Sequence, residues 1–331
     1  MKKILYIAHG SQDFCDDSIF CGLRDFLDQY EIDFVLSGCQ FYESDVATIE
    51  RRHEIGLFDF KYDWLKTAKL LGKFSPEKKY DLIILGSIWD QNQNKFLEIE
   101  NCLNENGKVV LIDGCDNGRG ADVNIRIKND LIYHTNIIDS DWENGMSMPY
   151  ACPSDLLLKE NNKPLDYVLN CQMGSTHPTR INTVNHVYET IKSLNLLEKS
   201  KITRYGNHEL PQLVGNHSHT SFDKWWDTLE KSKIIIIERG TGVETYRFWE
   251  SICTGNYVLC TPRSYYRENN IPLPNNVIFW EDNIDLSNKI IKLINITDEE
   301  VIENRKKVKE FIKQHHLPKH RLQKILNKIK I

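Results

Sequence analysis

No stretch of this sequence approaches the ~18–20 consecutive apolar residues of a membrane span. The opening run, Met1-Lys2-Lys3-Ile4-Leu5-Tyr6-Ile7-Ala8-His9-Gly10, imitates a secretory signal, but its apolar stretch stops too soon. It reads better as a first β-strand. No C-x-x-C pair occurs among nine scattered cysteines, and their number is odd. That argues against a disulfide framework or a zinc site, and for reduced thiols in a cytosolic protein. Without a secretory signal, the sequons Asn216-His217-Ser218 and Asn295-Ile296-Thr297 read as chance matches. Sequence repeats are absent too.

A basic surplus is also lacking. The formal net charge is −5, and it is unevenly placed. From Glu303 to Ile331 ten Lys/Arg face two Glu, a balance of +8, so residues 1–302 carry −13. An acidic body argues against broad nucleic-acid binding, which needs a basic surface.

What is present is ordinary soluble-protein chemistry, 40% hydrophobic and 27% charged. At 331 residues the chain exceeds what one core usually supports, so two domains of about 150 residues are expected. Strand-like runs alternate with helix-like stretches. Lys3–Ala8 is a strand, and 17–30 an amphipathic helix with Ile19, Leu23, Phe26 and Leu27 on one face. Residues 80–90 are a buried strand, 94–103 a helix and 108–112 another strand, ending in the loop "DGCDNGRG". Regularity fades between Lys128 and Asn162, where the interdomain linker is placed. The alternation restarts with strands at 166–171, 201–205, 233–238, 257–261 and 276–280 and helices at 179–194, 221–231, 244–254 and 284–294. Continuous apolar runs separated by helices mean parallel sheets covered on both faces. The fold class is therefore α/β, with two facing Rossmann-like domains and C-terminal helices.

The most informative segment is "SKIIIIERGTGVETYRFWESICTGNYVL", from Ser232 to Leu259. A strand enters a loop, Glu238-Arg239-Gly240-Thr241-Gly242, and the loop enters a helix from Glu244 to Thr254. Gly240 and Gly242 would let the backbone take positive φ and approach a ligand. The first-turn N–H groups suit a phosphate, and Arg239 and Arg247 could add bidentate contacts. Arg247 and Glu250 are three apart and share a helix face. Glu250 could accept hydrogen bonds from a ribose, or the two could form a weak exposed ion pair. Spacing alone leaves both open.

This segment resembles the donor site of exostosin-type and spore-maturation-type glycosyltransferases of the GT-B fold. Ser232-Lys233, Arg239-Gly240, Thr245, Arg247, Glu250 and Gly255 fill the places of their pattern. The resemblance implies that Arg239 and Arg247 face the diphosphate of a nucleotide sugar and Glu250 its ribose. "NCQMGSTHPTR" is similar to the first strand, loop and helix start of the C-terminal domain, with Gly174 in the loop and Arg180 as a second donor contact. "VLIDGCDN" resembles an N-domain strand end. About thirty residues carry the specific match.

An inverting transferase needs a base for the acceptor hydroxyl. Candidates are His9, with Asp13 four residues on, and Asp113 with Asp116; a retaining mechanism needs none. His9 could equally be a loop histidine, and Asp113 a loop cap. Asp139-Ser140-Asp141 has the form of a D-x-D metal motif but lies away from the donor segment. His208, His217 and His219 match no zinc spacing. The tail is amphipathic after Pro318, with Leu322, Ile325, Leu326 and Ile329 in one stripe. It reads as an interfacial helix on anionic lipid or as a closing helix packed back across both domains.

The expectation is a cytoplasmic GT-B-type glycosyltransferase with peripheral membrane contact left open at the tail. Residues 1–150 would form the acceptor-side domain, 151–302 the donor domain and 303–331 the basic closing helices. It would use a nucleotide-diphosphate sugar as substrate, with no cofactor and no metal. A nucleotide-sugar epimerase and a catalytically silent scaffold of the same fold are the rival classes. The acceptor and the oligomeric state are not specified by the sequence.

Overall fold

In the computed structural model, residues 1–8, 14–37, 64–114, 125–134, 144–158, 163–174, 177–202, 222–240, 245–261, 266 and 270–331 are described. The chain divides into two compact units. One comprises Met1–Leu156, Tyr265–Ile271 and His315–Ile331; the other comprises Leu157–Ser264 and Pro272–Gln314.

The first unit holds a seven-stranded parallel sheet of β1 (Lys2–Ala8), β2 (Tyr30–Leu36), β3 (Gly72–Lys73), β4 (Tyr80–Leu85), β5 (Leu103–Asp113), β6 (Leu131–His134) and β7 (Gly145–Ser147). Its order is β3-β2-β1-β4-β5-β6-β7, the doubly wound Rossmann arrangement with one added edge strand. Leu5, Ile7, Ile83, Leu85, Val109 and Leu111 form one face of the core with Phe96 and Ile99 from α3 (Asp90–Ile99). On the alternate positions Tyr6 packs edge-on against Phe20, and Phe20 against Phe34. Phe20 belongs to α1 (Phe14–Gly22); α2 is Trp64–Leu70.

The helix expected over 17–30 is shorter. After α1 comes a 3₁₀ turn at Leu23–Phe26, and Tyr30 already begins β2. β2 pairs with β1 over all seven residues, from Lys2 with Tyr30 to Ala8 with Leu36. Asp33 interrupts its apolar pattern, and it is buried by receiving Lys78 Nζ at 2.7 Å and the Tyr80 hydroxyl at 2.8 Å. The stretch from 128 to 162, irregular in sequence, contains β6 and β7. Strands of four and three residues are too short to leave a period.

The second unit holds a five-stranded parallel sheet of β8 (Tyr167–Cys171), β9 (Ser200–Ile202), β10 (Ser232–Ile237), β11 (Tyr257–Cys260) and β12 (Val277–Phe279), in the order β12-β11-β10-β8-β9. Leu169, Ile234, Ile236 and Leu259 pack against Val184, Val187 and Ile191 of α5 (Pro178–Ser193) and Leu286, Ile290 and Leu293 of α8 (Asn283–Ile294). α6 (Phe222–Glu230) and α7 (Tyr246–Cys253) contribute the buried Trp226, Leu229, Phe248, Trp249 and Ile252. α4 (Ser154–Leu158) precedes this unit's sheet, and α9 (Asp298–His315) follows it.

α10 (Pro318–Ile329) returns to the first unit, where Leu322, Ile325, Leu326 and Ile329 are buried. Arg321 anchors it, donating to the carbonyls of Pro149 (3.0 Å), Tyr150 (2.8 Å) and His315 (3.1 Å). No described helix is long and apolar enough to cross a membrane.

Candidate functional site

In an open parallel sheet, ligands bind beyond the carboxyl ends of the strands where the strand order reverses. In the second unit that point lies between β8 and β10. β10 is pinned at its start. Ser232 Oγ donates to Thr228 O at 2.6 Å, and Lys233 Nζ reaches Ile296 O at 2.6 Å and Asp298 at 3.0 Å. The Ser-Lys pair of the motif is thus a fastening of the strand. At its far end Glu238 is buried and accepts from the hydroxyls of Thr183 (3.2 Å) and Thr261 (2.9 Å) and from the N–H of Arg239 (2.9 Å). The sequence places Glu238 at the junction of strand and loop. The structure makes it the tie between β10, β11 and α5.

Arg180 lies three residues into α5, whose start is set by Pro178 and by His177 Nδ1 accepting from the Thr179 N–H. Its guanidinium ties together the loops that follow β8 and β10. Nε–H donates to Arg239 O at 2.7 Å, and the terminal nitrogens donate to Glu238 O at 3.3 Å and Gly174 O at 3.5 Å. Gly240 packs on that guanidinium: a Cβ there would meet Arg180 Nη2 at 3.2 Å and Thr245 Cγ2 at 3.3 Å. The positive φ expected at Gly240 is not found; the described glycine with positive φ is Gly255 (78°), behind α7. Close approach, not backbone handedness, is what requires glycine at 240. Gly174, Arg180, Arg239, Gly240 and Thr245 therefore come together. Arg239 has an exposed side chain. Thr245 is the N-cap of α7, and its buried hydroxyl meets no hydrogen-bond partner among the described residues.

Arg247 and Glu250 share α7 but not surroundings. The Arg247 guanidinium lies over the Trp225 ring of α6, 4.9 Å from its centroid, a cation–π contact of order 0.5–2 kcal/mol. Glu250 is 1% exposed. Trp225 was not singled out in the sequence, since it lies upstream of the motif. Thr241 and Gly242 lie outside the described residues.

In the first unit, Asp113 ends β5 and pairs in register with His134, the last residue of β6, which in turn pairs with Ser147 of β7. Register partners point to the same face, so the three side chains are neighbours. Asp113 and His134 are buried, and burial pushes His134 down to about 4, leaving it neutral at physiological pH. His134 was missed, although "VLID" and "LIYH" share one pattern, an apolar run ending in a titratable residue. His9, Asp13 and Asp116 lie outside the described residues, as do Asp139, Asp141, His208, His217 and His219. Among the described residues, no group of three or more His, Cys, Asp or Glu is arranged to hold a metal.

No family model and no curated protein matches the sequence. The structure does find relatives. An α-glucosyltransferase in complex with UDP-glucose and DNA containing an abasic site is similar, with a TM-score of 0.57 at 10% identity over 99% of both chains. The complex of an α-glucosyltransferase with UDP and a 13-mer DNA containing a central A:G mismatch gives 0.55 at 10% identity over the whole of both chains. Anabaena Alr3699/HepE in complex with UDP gives 0.53 at 10% identity, again over both whole chains. The fold is that of the GT-B glycosyltransferases. In GT-B terms, β1–β7 and β8–β12 are the two Rossmann-like sheets, and α8, α9 and α10 are the C-terminal helices.

Proposed function

We propose that the protein is a glycosyltransferase that binds a nucleotide-diphosphate sugar beyond β8 and β10 and transfers the sugar to an acceptor. The observation that carries this reading is the set of residues gathered at the switch point of the second sheet. There Gly240 packs on Arg180, Arg239 is exposed, and Thr245, at the N-cap position of α7, keeps a buried hydroxyl that meets no partner among the described residues. First-turn N–H groups of α7, with Arg239 and Arg247, would meet the diphosphate. As the donor bond breaks, negative charge grows on the leaving diphosphate, and these groups stabilise it in place of a divalent cation.

The resemblance of Ser232–Leu259 to exostosin-type and spore-maturation-type enzymes supports that subtype, in which Glu250 would meet the ribose hydroxyls. For an inverting reaction, Asp113 beside neutral His134 is the described carboxylate suited to deprotonate the acceptor, with His9, Asp13 and Asp116 as the other candidates. The described cysteines are all buried, and the scattered cysteine pattern accords with a cytoplasmic setting.

Calorimetry with UDP, GDP and ADP tests the site. Arg247→Ala should abolish most donor affinity and activity, and Glu250→Ala should weaken nucleotide binding. Wild-type affinity in both variants would refute the assignment. Product analysis with donor alone separates transfer from epimerisation, which needs no acceptor.

A further inference from the structure

Three described arginines of the second unit, Arg180, Arg247 and Arg305, are held in two ways. Arg180 and Arg305 commit their N–H groups: Arg180 to the carbonyls of Arg239 and Glu238, Arg305 to Asn256 Oδ1 at 2.8 Å and the carbonyls of Glu230 (2.7 Å) and Lys163 (3.1 Å). Arg247 is held instead by a cation–π contact. Its guanidinium lies 4.9 Å from the Trp225 ring centroid, and no hydrogen bond or ion pair among the described residues takes its N–H groups.

This difference matters chemically. A guanidinium carries five donors in its plane, and stacking on an aromatic ring uses the π face and leaves those donors at the edge. Stacking also removes beforehand much of the rotamer freedom that a long side chain would otherwise lose on binding. The Trp225 ring is itself fixed. Its neighbour Trp226 is buried, 4% exposed, which seats α6 on the sheet, and the two rings lie 6.5 Å apart. Arg247 is the second residue of α7, at the end where first-turn N–H groups lack intrahelical partners.

We propose that Trp225 is a positioning residue of the donor site: stacked on Arg247, it presents the guanidinium edge to the diphosphate of a nucleotide-sugar donor. The proposal rests on the donor reading given above. It adds a residue on α6, outside the motif, that sets how tightly the diphosphate is held. Trp225 acts through Arg247 and has no contact of its own with the diphosphate.

The test is a double-mutant cycle read by calorimetry, with UDP and inorganic pyrophosphate as the two probes. Trp225→Leu should weaken both probes by about fivefold to tenfold, and Trp225→Phe, which keeps an aromatic face, by no more than about twofold. In an Arg247→Ala background, Trp225→Leu should cost nothing further. A ligand-free reading comes from NMR, where the ring current of Trp225 should shift the Arg247 Nε–H signal and Trp225→Leu should remove the shift. Should the leucine variant fail to fold, Trp225→Gln takes its place. Three results overturn the proposal: undiminished affinity in a folded variant, an equal loss in the Arg247→Ala background, or a loss for UDP with none for pyrophosphate. The last would make Trp225 a base contact. A wild type that binds neither probe overturns the donor reading itself, and the proposal with it.

Discussion

Arg180 donates its Nε–H to the main-chain carbonyl of Arg239 across 2.7 Å, joining the start of α5 to the loop after β10. With the bonds to Glu238 O and Gly174 O, one guanidinium spans both loops at the switch point. Its planar fork, rather than its charge, fits this task. Arg180→Ala leaves carbonyls without donors and should cost roughly 1–3 kcal/mol of stability, with weaker nucleotide binding. Arg180→Lys keeps the charge but supplies a single point of donation, so it should behave closer to Ala than to wild type. Urea denaturation and UDP titration check both; a fully stable, fully binding lysine variant would contradict this role.

Gly240→Ala follows from the same contact. The new methyl would sit 3.2 Å from Arg180 Nη2 and 3.3 Å from Thr245 Cγ2. Arg180 is pinned by carbonyls and cannot yield without losing them. A destabilisation of about 1 kcal/mol is expected, together with a loss of UDP affinity larger than the stability change implies, because the displaced loop would face the diphosphate in the proposed site. Wild-type UDP affinity in Gly240→Ala would place the donor elsewhere.

Sequence periodicity made the two parallel sheets legible because buried strands such as "KIIII" and "LIIL" are continuous apolar runs. It failed where tertiary pairing overrode pattern. Asp33 looks like a strand breaker until Lys78 and Tyr80 are seen to satisfy it. Candidate site residues were legible where a motif carried them, as at Arg239 and Gly240. Glu238 and Trp225 were not, since their meaning lies in partners far along the chain: Thr183 and Thr261 for one, Arg247 for the other. His134 became visible only through its register with Asp113.

That histidine gives a pH signature. Its pKa in the folded protein, about 4, lies below the ordinary 6.5, so the unfolded chain takes the proton more readily. Stability is then complete above about pH 6.5 and falls as pH drops towards 4, by roughly 3 kcal/mol over the window for this residue. His134→Gln cannot take up that proton and should flatten the fall. Urea midpoints at pH 7.5, 6 and 5 for both proteins would show the difference. Parallel losses in the two would exclude His134 as the cause.

The last relationship concerns the tail. A Cβ at Gly22 of α1 would lie 2.8 Å from the carbonyl oxygen of Pro318, the first residue of α10. Both contacting groups are backbone, so neither side can rotate away, and α10 would have to shift. Gly22→Ala should therefore cost about 1–3 kcal/mol although alanine favours helix. Partial release of α10 would expose the stripe of Leu322, Ile325, Leu326 and Ile329, an apolar face bordered by Lys319, Lys324 and Lys328. With that stripe buried, wild type should sediment with anionic vesicles only through its lysines, and the binding should fade as salt is raised to physiological strength. Gly22→Ala should bind more strongly and keep its binding in salt, since inserted apolar surface is not screened. Salt-resistant sedimentation of wild type would show instead that the stripe reaches lipid without any mutation.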